Sequence, residues 1–159
     1  MRWAGLAARL LVGGVWLVAG ALKLPDPAGS VRAVRAYQLL PEVVVGPVGY
    51  ALPVVEVLVG LCLVAGLLVR VNAMLSAVLF VAFIVGIASA WTRGLQIDCG
   101  CFGGGGFDAD ARAKYPLELA RDFGLLFASV WLVLRPRTVF ALDNRIYAST
   151  DPVGQGEHR

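Results

Sequence analysis

Residues 73–91 read AMLSAVLFVAFIVGIASAW, an apolar run with no charged side chain. About 20 such residues cross a hydrocarbon core of about 30 Å, so the run predicts a membrane-spanning helix. Ala82, Gly86 and Ala90 recur along it at every fourth position, a small-residue stripe suited to close helix packing within or between chains. Upstream, a span is read from Val48 to Val69 with Pro53 and Glu56 inside it, and Arg70 and Asn72 form the tight turn between the two runs. Further upstream, Trp3 to Leu24 is long enough to cross if Arg9 extends toward the nearer surface. Arg2, Arg9 and Ala19-Gly20-Ala21 also resemble the parts of a signal peptide, but the run is read as a retained span. Downstream, Pro116 to Leu134 makes the fourth span, with Pro116 in its first turn and Arg135-Pro136-Arg137 closing it. The expected fold is all-α, an integral membrane four-helix bundle over residues 1–137, followed by a polar tail at 138–159.

Between the first two spans, Pro25-Asp26-Pro27 stops a helix and Pro41 ends the next segment. Within Ala28 to Leu40, Val31, Val34, Tyr37 and Leu40 fall at helical spacing, with Arg32 and Arg35 on the other side. That pattern predicts a short amphipathic helix lying in the interface.

Composition agrees. Apolar residues make up 58 % of the chain and charged residues 16 %, against about 45–50 % and about 25 % in soluble domains. A soluble fold of this size could not hide that surface, whereas lipid can. The net charge of +3 is small, and the basic residues cluster at the ends of apolar runs. This suits a membrane surface and gives no basis for nucleic-acid binding.

Four spans place both termini on one side and the two long loops on the other. Arg70, Arg135 and Arg137 lie tight against the terminal side, which favours cytoplasmic termini in a plasma membrane and an extracytoplasmic cysteine loop. In either orientation Lys23, Glu56, Cys99, Cys101, Glu118, Arg121 and Asp122 share one half of the protein.

Cys99 and Cys101 lie one residue apart in the loop Thr92 to Tyr115. Such a pair can close a small, strained and exchangeable disulfide, and Gly100 with Gly103 to Gly106 frees the backbone around it. A structural disulfide fits the same spacing. So does metal binding, although it requires further ligands and the one histidine, His158, lies in the tail. Cys62, within the second span, reads as a small buried apolar residue.

Glu56 falls about 12 Å along its span at 1.5 Å per residue. An ionisable side chain there is costly and marks a functional candidate. It can accept a proton, pair with Lys23 or Arg121, or tie helices together as a neutral acid. Glu118 and Asp122 share a helix face with Arg121 beside them. They form either an interfacial ion cluster or a polar floor beneath the cysteines, where a cation would raise the thiolate fraction. Lys23 is expected to anchor a helix end at the interface.

The order Gly20-x-x-Lys23 with Asp26-Pro27, Tyr37-x-Leu39-Leu40-Pro41, Leu52-Pro53-x-x-Glu56-x-x-x-Gly60, Asp98-Cys99-Gly100-Cys101-Phe102-Gly103 and Arg121-Asp122 resembles the MauE family of methylamine-utilisation membrane proteins, within the wider DoxX-like group. The resemblance covers about residues 4 to 134, and the Asp-Cys-Gly-Cys-Phe-Gly run is its specific part. It implies a four-helix membrane domain working beside a thioredoxin-like partner to make or mature disulfides in an exported protein. In methylamine operons that client is the disulfide-rich small subunit of methylamine dehydrogenase. It also implies that Cys99, Cys101, Glu56 and Arg121-Asp122 form the site.

Two functions follow. In the first, the protein is a component of a thiol–disulfide oxidoreductase system: Cys99 and Cys101 cycle, Glu56 takes or relays a proton and Arg121 stabilises the thiolate. By analogy with other membrane disulfide systems a quinone would accept the electrons, although no residue here specifies a quinone site. In the second, the protein is a non-catalytic anchor or small-solute channel subunit with a structural loop disulfide. The client, the direction of electron flow and the oligomeric state are not written in the sequence.

Overall fold

The computed structural model describes residues 2–101 and 103–135. The polar tail, Pro136, Arg137 and Phe102 lie outside the described residues. The order is α1 (Arg2–Lys23), α2 (Pro27–Ala36), α3 (Glu42–Ala65), α4 (Val69–Thr92) and α5 (Ala111–Leu134), with no strand beyond isolated bridges among the described residues. By length and composition α1, α3 and α4 can each cross a membrane. α5 is as long as α3 and α4, but its first half carries Arg112, Lys114, Glu118, Arg121 and Asp122.

Helix ends follow the punctuation of the sequence, with some shifts. The Asp26 side chain accepts a hydrogen bond from the Gly29 N–H at 2.8 Å, and Pro27 opens α2. The turn expected at Arg70 and Asn72 lies earlier: Gly66 and Leu68 take left-handed backbone (φ 73° and 45°) and α4 already begins at Val69. Asn72 still serves that turn, because its side-chain amide donates to the carbonyls of Leu67 and Leu68 at 3.0 and 3.2 Å. α3 starts at Glu42, well ahead of Val48, and carries both Pro47 and Pro53. α5 starts at Ala111, which places Pro116 beyond its first turn. α2 ends at Ala36, short of Leu40, which is exposed.

α1 packs chiefly on α3, α4 on α5, and α2 lies on α3. The closest approach is between α1 and α3. A Cβ at Gly60 would stand 2.9 Å from the Gly13 carbonyl oxygen, and one at Gly20 would stand 2.8 Å from that of Pro53. The backbones therefore touch, a packing that small residues permit. Of the expected Ala82/Gly86/Ala90 stripe, Gly86 and Ala90 are buried and Ala82 is exposed; Gly86 receives the Tyr37 ring.

Two apolar clusters fill the interior. One joins Val12, Trp16, Val59, Leu63, Phe80 and Leu125. The other joins Ile87, Ala90, Ile97, Cys99, Cys101, Ala111 and Tyr115. Large apolar side chains such as Val43, Val78 and Phe127 point outward, as lipid-facing residues do. Arg9 does not reach the surface as expected: it is only 2 % exposed.

Candidate functional site

The segment from Arg93 to Asp110 folds back on itself between α4 and α5. Asp98 N–H donates to the Gly106 carbonyl at 2.9 Å, and Asp108 N–H donates to that of Gln96 at 3.0 Å. The Tyr115 hydroxyl pins the near strand of this loop. It accepts from Ile97 N–H at 3.2 Å and lies 2.9 Å from the carbonyls of both Leu95 and Ile97. At the turn, the Asp98 carboxylate accepts from Gly100 N–H at 2.8 Å, which sets Cys99 and Cys101 on either side of that bond.

Both cysteines are free thiols, each 6 % exposed. Cys101 N–H contacts Cys99 Sγ at 3.4 Å, and the Cys101 thiol faces the Cys99 carbonyl at 3.8 Å. The cover is α2. A Cβ at Gly100 would meet the Ala33 Cβ at 2.7 Å, and one at Gly105 would meet it at 2.5 Å. These two glycines combine positive φ (64° and 112°) with helix contact, so no other residue fits without displacing α2. Gly100 and Gly105 are thus tucked beneath a helix, while Gly104 is exposed. α2 is fastened by the Tyr37 hydroxyl, which donates to the Cys99 carbonyl at 2.8 Å, and by the Arg93 guanidinium, which donates to the Tyr37 carbonyl. Its outer face carries the exposed pairs Arg32–Asp26 and Arg35–Glu42.

Lys23 departs from the expected interfacial anchor. It is 3 % exposed, and its Nζ donates to Glu56 Oε1 at 2.6 Å, with Glu56 fully buried. The α1–α3 pairing sets the Lys23 backbone beyond Glu56. A helical side chain leans toward its own N-terminus, and this carries the ammonium inward. Its Nζ also lies 5.5 Å from the centre of the Phe83 ring. Of the partners expected for Glu56, the structure selects Lys23. Arg121 pairs with Asp122 at 2.8 Å on the same helix. Cys62 is half-buried and its carbonyl accepts from Leu67 N–H at 2.8 Å.

Two small cavities flank the turn. One, of about 10 Å³, is lined by Cys101, Arg121, Asp122, Trp16, Phe80 and Phe83. The other, of about 30 Å³, is lined by Cys99, Lys23, Ser30, Tyr37 and Phe83 among others. Each is of the size that holds a water or two. Neither would take a quinone head group, since ligand pockets run to about 300 Å³ or more. Among the described residues no group of three His, Cys, Asp or Glu side chains is placed to hold a metal ion.

At Cys101 the electrostatics keep the thiol form. The Cys101 pKa is pushed well above the ordinary thiol range by its hydrogen bonding with Cys99, then by burial. Burial likewise raises the Tyr37 phenol, so it stays a neutral donor to the Cys99 carbonyl. Tyr115, Ser30, Ala33 and Phe83 belong to the site and escaped the sequence reading. Tyr115 carried the clearest signal, an aromatic residue with a polar tip one position before the expected start of the fourth span.

Three helices able to cross a bilayer and a thiol pair under a short helix at one end of them fit a multi-pass helical membrane protein with a covered dithiol. The chain belongs to the MauE family: the family model described as "Methylamine utilisation protein MauE" matches residues 1–135. No curated protein and no solved structure matches the chain.

Proposed function

We propose that the protein is a four-span membrane thiol–disulfide redox protein that works with a thioredoxin-like partner to form or mature disulfides in an exported protein. The single observation that carries this reading is the Cys99-Gly100-Cys101 turn, two adjacent free thiols with Arg121 and Asp122 lining the small cavity at Cys101 and Lys23 and Tyr37 lining the separate one at Cys99. The family description supports methylamine utilisation as the setting. α5 makes the fourth span, with its charged first half at the cysteine face and its apolar second half in lipid. The cysteine face is extracytoplasmic, in the plasma membrane, where oxidising conditions favour disulfides.

Exchange with the partner is a two-electron step. A cysteine thiolate attacks the partner disulfide, a mixed disulfide forms, and the second cysteine resolves it; every sulfur–sulfur bond made replaces one broken. Arg121, beside Cys101, stabilises the thiolate. Glu56 holds Lys23 at the wall of the Cys99 cavity and relays a proton through it. Burial of both thiols favours the second reading, a non-catalytic subunit.

The redox potential of the pair in the detergent-solubilised protein separates the two. A value between about −120 and −270 mV supports exchange; a value below about −300 mV, or thiols that never pair, rejects it. In the first case Cys99→Ser and Cys101→Ser each abolish exchange.

A further inference from the structure

Charge does not choose between the two cysteines. Each shares a small cavity with a cation, Lys23 for Cys99 and Arg121 for Cys101. Each cation is paired with a buried carboxyl that keeps one unpartnered oxygen, Glu56 and Asp122 respectively. What covers the thiols does differ. The cavity at Cys101 is walled by Trp16 of α1, Phe80 of α4 and Asp122 of α5, and no residue of α2 reaches it. The Trp16 and Phe80 rings stack at 4.5 Å, and Trp16 Nε1 donates to Ser76 Oγ at 2.9 Å, so long packed helices would have to part to open that side. The cavity at Cys99 takes Ser30, Ala33 and Val34 of its wall from α2, and Tyr37 from the residue that caps it. α2 is short and lies between exposed residues at 24–28 and 38–44. Its seat is imperfect: Ser30 Oγ is buried with no hydrogen-bond partner, above a cavity of about 30 Å³. A short element with an unsatisfied buried group opens more readily than the bundle around it. The hydrogen bonds of the turn point the same way. Cys99 Sγ accepts from Cys101 N–H at 3.4 Å, which favours negative charge on that sulfur, whereas the Cys101 thiol is a donor, toward the Cys99 carbonyl at 3.8 Å.

We infer that Cys99 is the cysteine that exchanges with the partner and Cys101 the one that resolves, with α2 lifting to admit the partner's sulfur to Cys99. This deepens the thiol–disulfide reading and rests on it. The Cys99 thiolate attacks one sulfur of the partner disulfide, breaks that bond and releases the partner's first thiolate. The Cys101 thiolate, beside Arg121, then attacks the Cys99 sulfur, closes the Cys99–Cys101 bond and releases the partner's second thiolate. Two electrons pass from the cysteine pair to the partner, and the two thiol protons end on the partner's two sulfurs. In the reverse direction a partner thiolate attacks Cys99 and Cys101 is the leaving group, released next to the Arg121 guanidinium. The Cys101 sulfur never has to meet the partner, so its place between the long helices is no obstacle.

The test uses the reduced full-length protein in detergent micelles, carrying Cys62→Ala so that only the two loop cysteines react, with dithiobis(nitrobenzoate) as the disulfide probe. Release of the coloured thiolate is followed with Cys101→Ser and Cys99→Ser added in turn. Cys101→Ser, which keeps Cys99, is expected to form the mixed disulfide about 10-fold or more faster than Cys99→Ser. Tyr37→Phe loosens α2 and is expected to speed the first about fivefold and to leave the second within about twofold. Equal rates in the two serine variants, a faster Cys99→Ser, or no reaction at either cysteine overturns the order. Equal acceleration of both by Tyr37→Phe overturns α2 as the route. If a serine variant does not fold, the Cys62→Ala protein is quenched early with iodoacetamide, and tandem mass spectrometry of the loop peptide reads which cysteine carries the probe. Probe on Cys99 supports the order; probe on Cys101 overturns it. Failure of the exchange reading looks different. With both cysteines present, exchange releases two coloured thiolates per protein as the Cys99–Cys101 bond closes. Release of one, with the probe retained on Cys99 and Cys101 left as a thiol, removes exchange and keeps Cys99 as the reactive cysteine.

Discussion

At the end bearing Gly13 and Gly60, α1 and α3 touch backbone to backbone over a core of Val12, Trp16, Val59, Leu63, Phe80 and Leu125. At the end bearing the cysteines, the interior holds Lys23, Glu56, Ser30 and Asp122 together with two thiols and two tyrosines that bond to backbone carbonyls. The first end is mainly apolar contact, and it also buries Arg9, Asn72, Ser76 and Ser129. The second has polar groups whose burial costs free energy unless each finds a partner, and three of its carboxyl groups, Glu56, Glu118 and Asp122, keep an unpartnered oxygen. Among the described residues the unpartnered carboxyl oxygens are therefore gathered at the end that carries the thiols. Substitutions at the two ends should separate accordingly.

The largest effect is expected where the cysteine end is most dependent on pairing. Lys23→Met leaves the fully buried Glu56 without its cation and should cost about 3–5 kcal/mol of stability. Lys23→Met combined with Glu56→Met should restore most of it, as read by denaturant or thermal unfolding in detergent. A single variant as stable as the wild type would mean that the pair contributes nothing. Next comes the glycine end. Gly60→Val places side-chain carbon against the Gly13 carbonyl and should cost about 1–3 kcal/mol. The redox potential of the protein that survives should be unchanged; a shifted potential would show that the two ends are coupled.

Tyr37→Phe removes one hydrogen bond from the α2 cover and should cost about 1 kcal/mol, with faster alkylation of Cys99 as the visible sign. The smallest effect concerns the Asp108–Lys114 pair at the foot of the cysteine loop. Lys114 at 2.6 Å holds the Asp108 pKa below its ordinary value. Its contribution is thus present at neutral pH and down to the unfolded value of about 3.9, and is lost as pH falls through the lower folded value. Hydrogen exchange of the loop amides should stay flat after correction for intrinsic rates from pH 7 to about pH 4 and rise slightly below that, because an exposed pair is screened by solvent.

Much of this division was legible in the chain. Apolar runs of membrane length mark α1, α3 and α4, and simple alternation of sides brings Glu56, Cys99, Cys101 and Arg121 to one half of the protein. What the sequence could not convey depends on contacts between distant residues. Ala33 sits over Gly100 and Gly105 only because α2 docks on α3, so the burial of the thiols has no local signal. Lys23 at a helix end looks like an interfacial anchor until the pairing of α1 with α3 sets its depth. The turn at Gly66 was misplaced to Arg70 and Asn72 because polar residues mark loops on average, whereas Asn72 is a helical residue whose amide reaches back to cap the turn.

The Lys23–Glu56 pair also has a consequence for the order in which the chain is assembled. Lys23 leaves the ribosome 33 residues ahead of Glu56, with α2 made in between. Until α3 arrives, the ammonium has no buried partner and rests at the interface, where a lysine at a helix end is well solvated. Only the entry of α3 draws it inward. α2 is seated against α3 and against the cysteine turn made later still, so it reaches its final position after both. The cover over the thiols is therefore synthesised early and fitted late.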